Sequence, residues 1–522
     1  MTLEDFTSRA LAARRRNEAH EADVVVVGAG IFGCAVAFAL ANQGRSVILL
    51  ERWMHEPDRI VGELLQPGGV DALRKLGLEA CLEGIDAIPC YGYHVKYHSE
   101  EVQIPYPVVD AAGKVQVSSS STNGQANGTE TEKLLSGGSS QGQRPEGRAF
   151  HHGRFIMQLR KACSGHPNIT IYETTVTDTV RGSHGDQRIL GVEARTTVDK
   201  TTNEKRADFF FGQLTIIADG YDSKFRKQLL RGRAPVVRSK FYALELVDCP
   251  FPPEGYGHVV IGDGTLVLLY QIGTHETRAL IDVPLDLPAA SPQNGGVRGY
   301  IEKVILPSLP AGVRPSVAAA LAANGGKIPK SMPNSWLPPA KQGGKLHPGV
   351  LVLGDAYNMR HPLTGGGMTV AFNDVVLLAG LLHPDSVPSL ADGKIIAKVM
   401  DEFHWRRKSL TSIINVLAQA LYSLFSARDR QLKALQLGCF DYFRRGYTDE
   451  PVGMLGGLIS RPAVLAYHFF SVAFLAIWLN GVAVCGGSVL GLWKLPVAVV
   501  DAVLILWRAC VVFLPVLWTE MR

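Results

Sequence analysis

The chain contains 522 residues, of which 46% are hydrophobic and 19% are charged, and its formal net charge is +5. This length exceeds what a single hydrophobic core usually supports, so we expect two or three structural units. The net charge is small and the chain has no long basic run, so nucleic acid is disfavoured as a partner. An anionic membrane surface remains a candidate partner.

The first 20 residues and the cysteines indicate the cellular compartment in which the protein works. The 8 cysteines are scattered and form no C-x-x-C pair, and residues 1–20 are charged, without an apolar leader. We therefore expect a catalytic part that faces a reducing compartment such as the cytosol. Residues 1–20 are interpreted as an N-terminal tail.

Residues 23–51 have the pattern of a strand, a glycine turn, a helix and a second strand. The β-branched run before the turn is typical of a strand buried on both faces. In the turn, Gly28 permits a tight bend, Gly30 lets the backbone approach a pyrophosphate, and Gly33 lets the helix pack closely on the strand. This is the first of three glycine turns that the sequence contains.

Glu51 ends the second strand, where an acidic side chain accepts hydrogen bonds from a ribose in dinucleotide-binding folds. A carboxylate at this position disfavours the 2′-phosphate of NADP. The structural alternative is a glycine turn that only packs a helix on a strand.

Residues 91–108 are expected to form strands of a second sheet, because apolar or aromatic side chains alternate with polar ones along residues 93–98.

Residues 110–149 are rich in Ser, Gly, Gln, Thr and Asn. Such a segment cannot offset its ordering entropy by apolar burial. We expect a disordered surface insertion there.

The second glycine turn, Ala218-Asp219-Gly220, follows another apolar strand. A helix at residues 153–162 and a strand at residues 169–172 are predicted before it. Residues 236–344 alternate short apolar runs with Pro and Gly, which favours a mainly antiparallel sheet beside the substrate.

The third turn follows the apolar run at residues 350–353, and a helix is predicted at residues 369–382. Asp355 can accept hydrogen bonds from the ribityl hydroxyls of a flavin. Gly365, Gly366 and Gly367 open the helix, so its free amides and positive end would face the electron-rich pyrimidine side of a reduced flavin.

The C-terminal part changes in character. Residues 396–445 read as helices with a basic bias, and no formally charged residue lies between Pro462 and Trp493. That run exceeds the roughly 20 apolar residues that span a bilayer. A second apolar stretch is interrupted only by Asp501 and Arg508, which we expect to face protein or the interface rather than each other.

Three turns in this order predict bound FAD, because each supplies backbone contacts to one part of an extended dinucleotide. The predicted fold class is α/β (α+β): a three-layer Rossmann-like FAD-binding domain, a mainly antiparallel β substrate domain, and a C-terminal helical membrane-associated region. The predicted boundaries are 1–20 for the tail, 21–90, 150–235 and 345–385 for the FAD-binding domain, 91–109 and 236–344 for the substrate domain, 110–149 for the insertion, and 386–522 for the membrane region.

Several longer motifs in the chain resemble those of a known protein family. They are Glu51-Arg52, EPDRIVGELLQPGG at residues 56–69, GRAFHHGRF at residues 147–155, ADG at residues 218–220 with SKFRK at residues 223–227, and LGDAYNMRHPLTGGGM at residues 353–368. With them the chain resembles the squalene monooxygenases (squalene epoxidases), within the aromatic-hydroxylase-type flavoprotein monooxygenases. The resemblance runs from about residue 22 to the C-terminus, except for the insertion, and fungal members are the most similar.

This resemblance implies epoxidation of squalene to (S)-2,3-oxidosqualene in ergosterol synthesis, with FAD, O₂ and electrons from NADPH through NADPH–cytochrome P450 reductase. It also implies contact with membrane lipid and a place in the endoplasmic reticulum membrane (microsomal), with the catalytic domain facing the cytosol, and lipid droplets as a second location. Neither a metal site nor a Ser-His-Asp arrangement is expected.

The resemblance implies a set of FAD contacts at Ile31, Phe32, Glu51, Arg52, Arg59, Leu64, Arg154, Val176, Asp355 and Met368. The turn residues Gly28, Gly30, Gly33, Asp219, Pro362, Gly365 and Gly366 complete the predicted cofactor site. Tyr93 matches a tyrosine that lies near the substrate pocket and positions polar neighbours.

Alternatives stay open at this point. Arg59 and Arg154 also fit ordinary surface ion pairs, and Tyr93 fits a core position. Alternation along the strand places His94 and His98 on its solvated face, which argues against a metal pair.

The rival functions are a flavin-dependent reductase of isoprenoid chains on the same fold and a prenyl-binding carrier without flavin.

Overall fold

The computed structural model describes residues 3–98, 100–111, 113–117, 142–183, 187–199, 201–202, 204–262, 264–342, 347–486 and 493–521. The strands are β1 (Glu21–Val27), β2 (Val47–Glu51), β3 (Leu64–Leu65), β4 (Ile88–Cys90), β5 (Gly92–Tyr97), β6 (Glu100–Pro105), β7 (Gly147–Ala149), β8 (Ile169–Glu173), β9 (Thr175–Arg181), β10 (Ile189–Asp199), β11 (Glu204–Ile217), β12 (Val236–Val247), β13 (Gly257–Ile261), β14 (Leu266–Gln271), β15 (Glu276–Pro284), β16 (Ser331–Trp336) and β17 (Val350–Val352).

Helices pack on both faces of the first sheet and on the second sheet, and further helices form the C-terminal region. They are α1 (Leu3–Glu18), α2 (Ile31–Asn42), α3 (Pro67–Leu76), α4 (His152–Ser164), α5 (Phe225–Leu229), α6 (Gly296–Tyr300), α7 (Leu306–Ser308), α8 (Arg314–Ala323), α9 (Gly367–Leu381), α10 (Gly393–Arg406), α11 (Lys408–Phe425), α12 (Arg430–Arg444), α13 (Asp449–Leu455), α14 (Pro462–Cys485) and α15 (Leu495–Met521).

The first sheet has a parallel core in the order β8-β2-β1-β11-β17, and the long strand β11 continues into an antiparallel pair with β10 and β9. Side chains of β1 alternate between two cores. Val24 and Val26 pack in the core that holds α2, α4 and α9, and Val25 and Val27 pack on the opposite face with residues of β10 and α5. Burial on both faces explains the uninterrupted β-branched run.

The second sheet has the order β16-β12-β15-β14-β13-β5-β6. Its pairs are antiparallel except β5 with β13, which run in parallel. A third, three-stranded sheet joins β3, β7 and β4. The predicted α/β class with a mainly antiparallel second sheet is confirmed.

One segment has more structure than the sequence indicated, and one local prediction was wrong. The segment interpreted as an N-terminal tail contains α1, and Arg16 of α1 is 2% exposed and donates hydrogen bonds to the Pro167 carbonyl and the Thr170 hydroxyl. His94 is 8% exposed rather than solvated. Because β5 lies between β6 and β13, the ring of His258 covers that of His94 at a centroid distance of 4.9 Å.

Most of the predicted insertion, residues 118–141, lies outside the described residues. Its flanks are ordered. Val109 pairs with Val115 and with Gln143, and residues 147–149 form β7. Regular structure therefore resumes before residue 149, the predicted end of the insertion.

The C-terminal region is helical. Among the described residues, α14 and α15 are long and apolar enough to cross a membrane, with 24 and 27 residues, and the pair α11 and α12, bent by 113°, could count as a third span. Asp501 pairs with Arg430, and Arg508 pairs with Asp429 at 2.7 Å. The expectation that Asp501 and Arg508 face protein or the interface rather than each other is confirmed.

Candidate active site

The three glycine turns lie side by side at one edge of the first sheet. Val27 is paired with Leu50 of β2 and with Ile217 of β11, and Ile217 is paired with Val352 of β17. Since these strands are parallel, their carboxyl ends meet at the same edge, where ligands bind in open α/β sheets.

Two glycines of the first turn are required by close backbone packing. Gly28 has a φ of +102°, and a Cβ there would lie 2.5 Å from the Ala218 carbonyl oxygen. A Cβ on Gly33 would lie 1.8 Å from the Gly28 carbonyl oxygen. Gly30 differs, because a Cβ there would meet no atom within 4 Å. Gly30 therefore faces open space in front of the amino end of α2, where free amides attract a phosphate.

Glu51 stabilises the first turn from the neighbouring strand. Its Oε2 accepts a hydrogen bond from the Ala29 amide at 2.8 Å, and its Oε1 accepts from the Arg52 and Trp53 amides. The buried guanidinium of Arg160 lies 3.4 Å from the same carboxylate. Glu51 is thus fixed at the edge of the sheet, beside the turn that would hold a dinucleotide.

The second and third turns carry aspartates. Asp219 has one buried carboxylate oxygen, Oδ1, without a hydrogen-bond partner, and burial raises its pKa. Asp355 follows Gly354, whose φ is +63°, and its carboxylate lies 3.6 Å from Arg59. A Cβ on Gly220 would meet nothing within 4 Å, so the second turn also opens outward.

A cleft of about 1460 Å³, part of it open to solvent, extends from these turns to the second sheet. Its lining contains residues of all three turns and of the second sheet, so a cofactor on the turns and a substrate against the sheet would share this cleft. The predicted site residues that line it are Gly30, Ile31, Phe32, Arg59, Leu64, Tyr93, Asp355, Pro362, Gly365 and Met368.

The other predicted residues do not line the cleft. Arg154 is 39% exposed and lies 3.9 Å from Asp86, Val176 is buried on β9, and the guanidinium of Arg52 stacks on Trp53. A Cβ on Gly366 would meet Ile414 of α11 at 2.5 Å, so this glycine serves packing. Gly28, Gly33, Glu51 and Asp219 support the turns. The cofactor roles of all eight stay predictions.

Tyr93 of β5 lies in the cleft wall with 8% of its surface exposed. Its hydroxyl donates to the Thr364 carbonyl at 3.4 Å, just before the glycines of the third turn. The hydroxyl of Tyr106, whose ring lies edge-on to that of Tyr93, donates to Gln66. Burial raises the pKa of Tyr93, so this side chain stays neutral at physiological pH.

Sequence reasoning missed a buried polar group in the same wall. Glu63 is 1% exposed, pairs with Arg278 at 2.8 Å and accepts a hydrogen bond from Tyr270 at 3.1 Å. Burial is the largest influence on the pKa of Glu63 and raises it, although Arg278 opposes the shift. Glu63 stands in the quoted motif of residues 56–69, but its partners come from β14 and β15 and no local pattern indicates them.

Arg360 and His361 were also missed. Arg360 lines the cleft, and burial lowers its pKa to about 10. His361 stacks on Tyr422 at a centroid distance of 3.9 Å, and burial lowers its pKa to about 3. The only feature of the sequence that could have indicated these two residues is their place in the motif of residues 353–368, between Asn358 and Pro362.

The geometry fits an extended FAD. Open space lies in front of Gly30, Gly220 and Gly367, and the unpartnered Oδ1 of Asp219 can accept a hydrogen bond. The helices α2 and α9 begin at the first and third turns, so their positive ends face the cleft. A phosphate group suits the first of these ends, and an anionic ring system suits the second.

Comparisons with known proteins agree with this geometry. A model of the squalene epoxidase family matches residues 211–493, and a model of FAD dependent oxidoreductases matches residues 23–58. The chain is 61% identical to the squalene epoxidase of Gibberella zeae, over 99% of each chain. It is 40% identical to the squalene epoxidase of Candida albicans, over 95% of this chain and 98% of that protein. Identity to the squalene monooxygenase of Mus musculus is 39%, over 96% of this chain and 78% of that protein.

Solved structures share the fold. PqsL, a probable FAD-dependent monooxygenase from Pseudomonas aeruginosa, superposes with a TM-score of 0.59 at 21% identity, over 81% of this chain and 100% of that chain. HpxO from Klebsiella pneumoniae, solved with FAD and uric acid, gives a TM-score of 0.56 at 20% identity, over 84% of this chain and 97% of that chain. At these identities the likeness concerns the fold alone.

Proposed function

The chain belongs to the squalene epoxidase family, and from this membership we propose that it converts squalene to (S)-2,3-oxidosqualene on the route to ergosterol. It is an FAD-dependent monooxygenase that uses O₂. We propose NADPH as the electron source, with cytochrome P450 reductase as the protein that delivers the electrons.

The observation that carries the proposal is an apolar cavity placed directly against the three turns. Beyond the third turn the cleft is walled by Val259, Leu268, Leu280, Met332 and Leu363. A hydrocarbon such as squalene has no polar group to recognise, so its binding must come from burial of apolar surface, at about 25 cal/mol per Å².

The protein's own residues position the reactants and keep out water. When bound, FAD supplies the reduced flavin at which O₂ is activated. An electron-rich alkene takes up an electrophilic oxygen without help from a side-chain nucleophile or a metal. An apolar wall serves this reaction, because water would otherwise compete for the activated oxygen.

We propose that Gly30, Arg59, Asp355 and Met368 contact FAD, and that Tyr93 positions the substrate side of the site. The support for these roles is their shared position in the cleft wall. Arg59 has a buried Nε without a hydrogen-bond partner, and its guanidinium lies 3.6 Å from the Asp355 carboxylate. A polar group of a bound nucleotide would complete this pair.

We also propose that α14 and α15 hold the protein on the endoplasmic reticulum membrane, with lipid droplets as a second location. In this arrangement α15 lies along the membrane surface rather than across the bilayer. The residues of α15 buried against α11, α12 and α14 recur along its length, at Ala498, Asp501, Ile505, Ala509, Phe513 and Glu520. The opposite face exposes Val500, Trp507, Leu514 and Trp518. A helix that contacts protein along one whole side and exposes apolar residues on the other is better placed at the membrane–water interface than across the bilayer core.

The reaction is tested with purified protein in detergent or nanodiscs. A flavin absorption spectrum, followed by O₂ consumption with squalene, NADPH and the reductase, should give stoichiometric 2,3-oxidosqualene. A saturated product would favour the isoprenoid reductase, and a colourless protein that binds squalene would favour the carrier.

The membrane proposal is tested by flotation with liposomes. Trp478→Glu with Trp507→Glu should abolish flotation, since Trp478 and Trp507 are each 68% exposed on the apolar helices. Trp53→Glu is the matched control, because Trp53 is 55% exposed beside the first glycine turn. Unchanged flotation of the double variant would contradict the proposed surface.

A further inference from the structure

Near its end, the apolar helix α15 carries a buried carboxylate. Glu520 is 1% exposed. Its Oε1 accepts a hydrogen bond from the Asn415 amide nitrogen at 2.9 Å, and its Oε2 accepts one from the Ser412 hydroxyl at 3.2 Å. Both donors lie on α11, so polar contacts fix the end of α15 to the body of the protein, in addition to the apolar packing of Phe513, Val516 and Leu517.

These contacts continue to the third glycine turn. The second hydrogen of the Asn415 amide is donated to Asn358 Oδ1 at 3.3 Å. Asn358 in turn fixes the shape of its loop, because its backbone amide donates to the Gly354 carbonyl at 3.0 Å and its side chain donates to the Leu337 carbonyl at 2.7 Å.

Arg360 connects this group to the cleft. Its Nη2 donates to Asn358 Oδ1 at 2.9 Å, and its Nη1 donates to the Gly367 carbonyl at 3.4 Å. Arg360 is one of the cleft-lining residues. The side chains of Glu520, Asn415, Asn358 and Arg360 thus form one buried hydrogen-bonded series from α15 to the amino end of α9.

Glu520 adds a carboxylate to a region in which cations are in excess. Arg407 pairs with Asp374 at 2.6 and 3.0 Å, and its Nη2 also donates to Asn358 Oδ1 at 3.3 Å. Among the described residues, neither Arg360 nor Lys408 has a carboxylate within salt-bridge distance, and Asp355, which acts on Arg360 from farther away, pairs with Arg59. The charged groups that act on Arg360 are Asp355, Arg407, Asp374 and Glu520. In a buried region an excess cation is costly, and Glu520 together with Asp374 offsets part of the positive charge of Arg360, Arg407 and Lys408.

We propose that Glu520 is a positioning residue for the cofactor site, through which docking of α15 sets the geometry and the electrostatic potential of the third glycine turn. The proposal rests on the proposed function for the presence of FAD. It does not give Glu520 any contact with the cofactor. Release of α15 from α11 would loosen the loop of Asn358 and Arg360, and FAD would bind less tightly.

Glu520→Gln tests this in the full-length protein. The substitution keeps the size of the side chain but removes its charge and turns one acceptor into a donor that faces Ser412 and Asn415. Asp501→Asn is the matched control, because Asp501 is 6% exposed on the same helix and pairs with Arg430 instead. Two quantities are measured: the Kd for FAD of the flavin-free protein, and the reduction potential of the bound flavin.

Glu520→Gln should raise the Kd for FAD by at least about five-fold, the lower end of typical coupling between sites. It should also shift the flavin potential upward, because loss of a negative charge favours the reduced, anionic flavin. Asp501→Asn should change neither quantity by more than about two-fold in Kd. A purely structural role of Glu520 would lower the melting temperature without moving the potential.

The proposal is overturned if folded Glu520→Gln has the Kd and potential of the parent protein, or if Asp501→Asn changes both to the same extent. If Glu520→Gln does not fold, Glu520→Asp decides, since it keeps the charge and shortens the reach. An unchanged Kd for FAD in that variant overturns the proposal, and a weakened one supports it. Failure of the parent protein to bind FAD would instead contradict the proposed function.

Discussion

The carboxylate of Glu63 and the guanidinium of Arg278 form a two-point ion pair inside the protein, with Nη2 to Oε1 at 2.8 Å and Nε to Oε2 at 3.0 Å. Glu63 precedes β3 and Arg278 lies on β15. The pair therefore joins the small third sheet to the second sheet across the cleft wall. Its energy depends on burial, because both side chains are removed from water.

Glu63→Gln should destabilise the protein by about 1.5–3 kcal/mol, since Arg278 loses its buried two-point partner and keeps only the half-exposed Glu245 at 3.3 Å. Denaturant unfolding of the detergent-solubilised protein measures this. Glu79→Gln is the control, because its ion pair with Arg74 is exposed and contributes less than about 1 kcal/mol. Equal losses in the two variants would show that burial does not govern the Glu63 pair.

Gly33→Ala and Gly30→Ala should fail in different ways. A Cβ on Gly33 would overlap the Gly28 carbonyl, so the first βαβ unit cannot form and the protein should be unstable with or without FAD. A Cβ on Gly30 projects into open space, so the protein should fold normally but bind FAD at least about ten-fold more weakly. Melting temperatures measured with and without FAD separate the two effects. Normal FAD affinity in Gly30→Ala would place the cofactor elsewhere.

Asp355→Ala should abolish epoxidation with loss of bound flavin. The substitution removes the partner of Arg59 and the acceptor expected for the ribityl hydroxyls. Flavin content per protein, read from the absorption spectrum after gel filtration, is the measurement. Asp286→Ala serves as control, because the side chain of Asp286 is 84% exposed. A yellow and fully active Asp355→Ala protein would contradict the assignment of the third turn.

His361 should make the protein sensitive to mild acid. Its pKa is about 3 in the folded protein, because of burial, and about 6.5 in an unfolded chain. The unfolded chain binds the proton first, so stability is complete above about pH 6.5 and falls by up to about 1.4 kcal/mol per pH unit as the pH decreases toward 3.

His361→Phe keeps a ring against Tyr422 and removes this proton, so its stability should depend less steeply on pH below 6.5. The free energy of unfolding between pH 4 and pH 8 tests the prediction. His152, whose pKa burial lowers to about 3, keeps its own contribution in both proteins. The exposed His383 provides a control, and His383→Phe should leave the slope unchanged. An identical slope in His361→Phe would contradict the prediction.

Elements with strong local patterns were predictable. The run before Gly28, the helix after it and the strand that ends at Glu51 were each placed by apolar periodicity and glycine spacing, and the structure has β1, α2 and β2 at those positions. Parallel strands end at one edge, so the meeting of the three turns also followed from the sequence. The FAD cofactor is confirmed by the match of residues 23–58 to the model of FAD dependent oxidoreductases.

Features that depend on distant packing were not predictable. His94 alternates with apolar residues as a solvated residue would, but His258 comes from a strand far along the chain and buries it. Arg278 and Tyr270 likewise meet Glu63 only because of the strand order in the second sheet. The helix α1 lacks a strong apolar pattern, and its docking depends on Arg16 reaching Pro167 and Thr170.

The parallel pairing of β5 with β13 has a consequence for how the protein is made. As the ribosome delivers the chain, the hairpin of β5 and β6, with Tyr93, emerges well before residues 257–261 supply its inner neighbour. Until then the hairpin presents an open edge to other chains, a hazard for aggregation. Nascent chains stalled before β13 should therefore depend on chaperones, and the hydrocarbon-binding half of the enzyme matures late in biosynthesis.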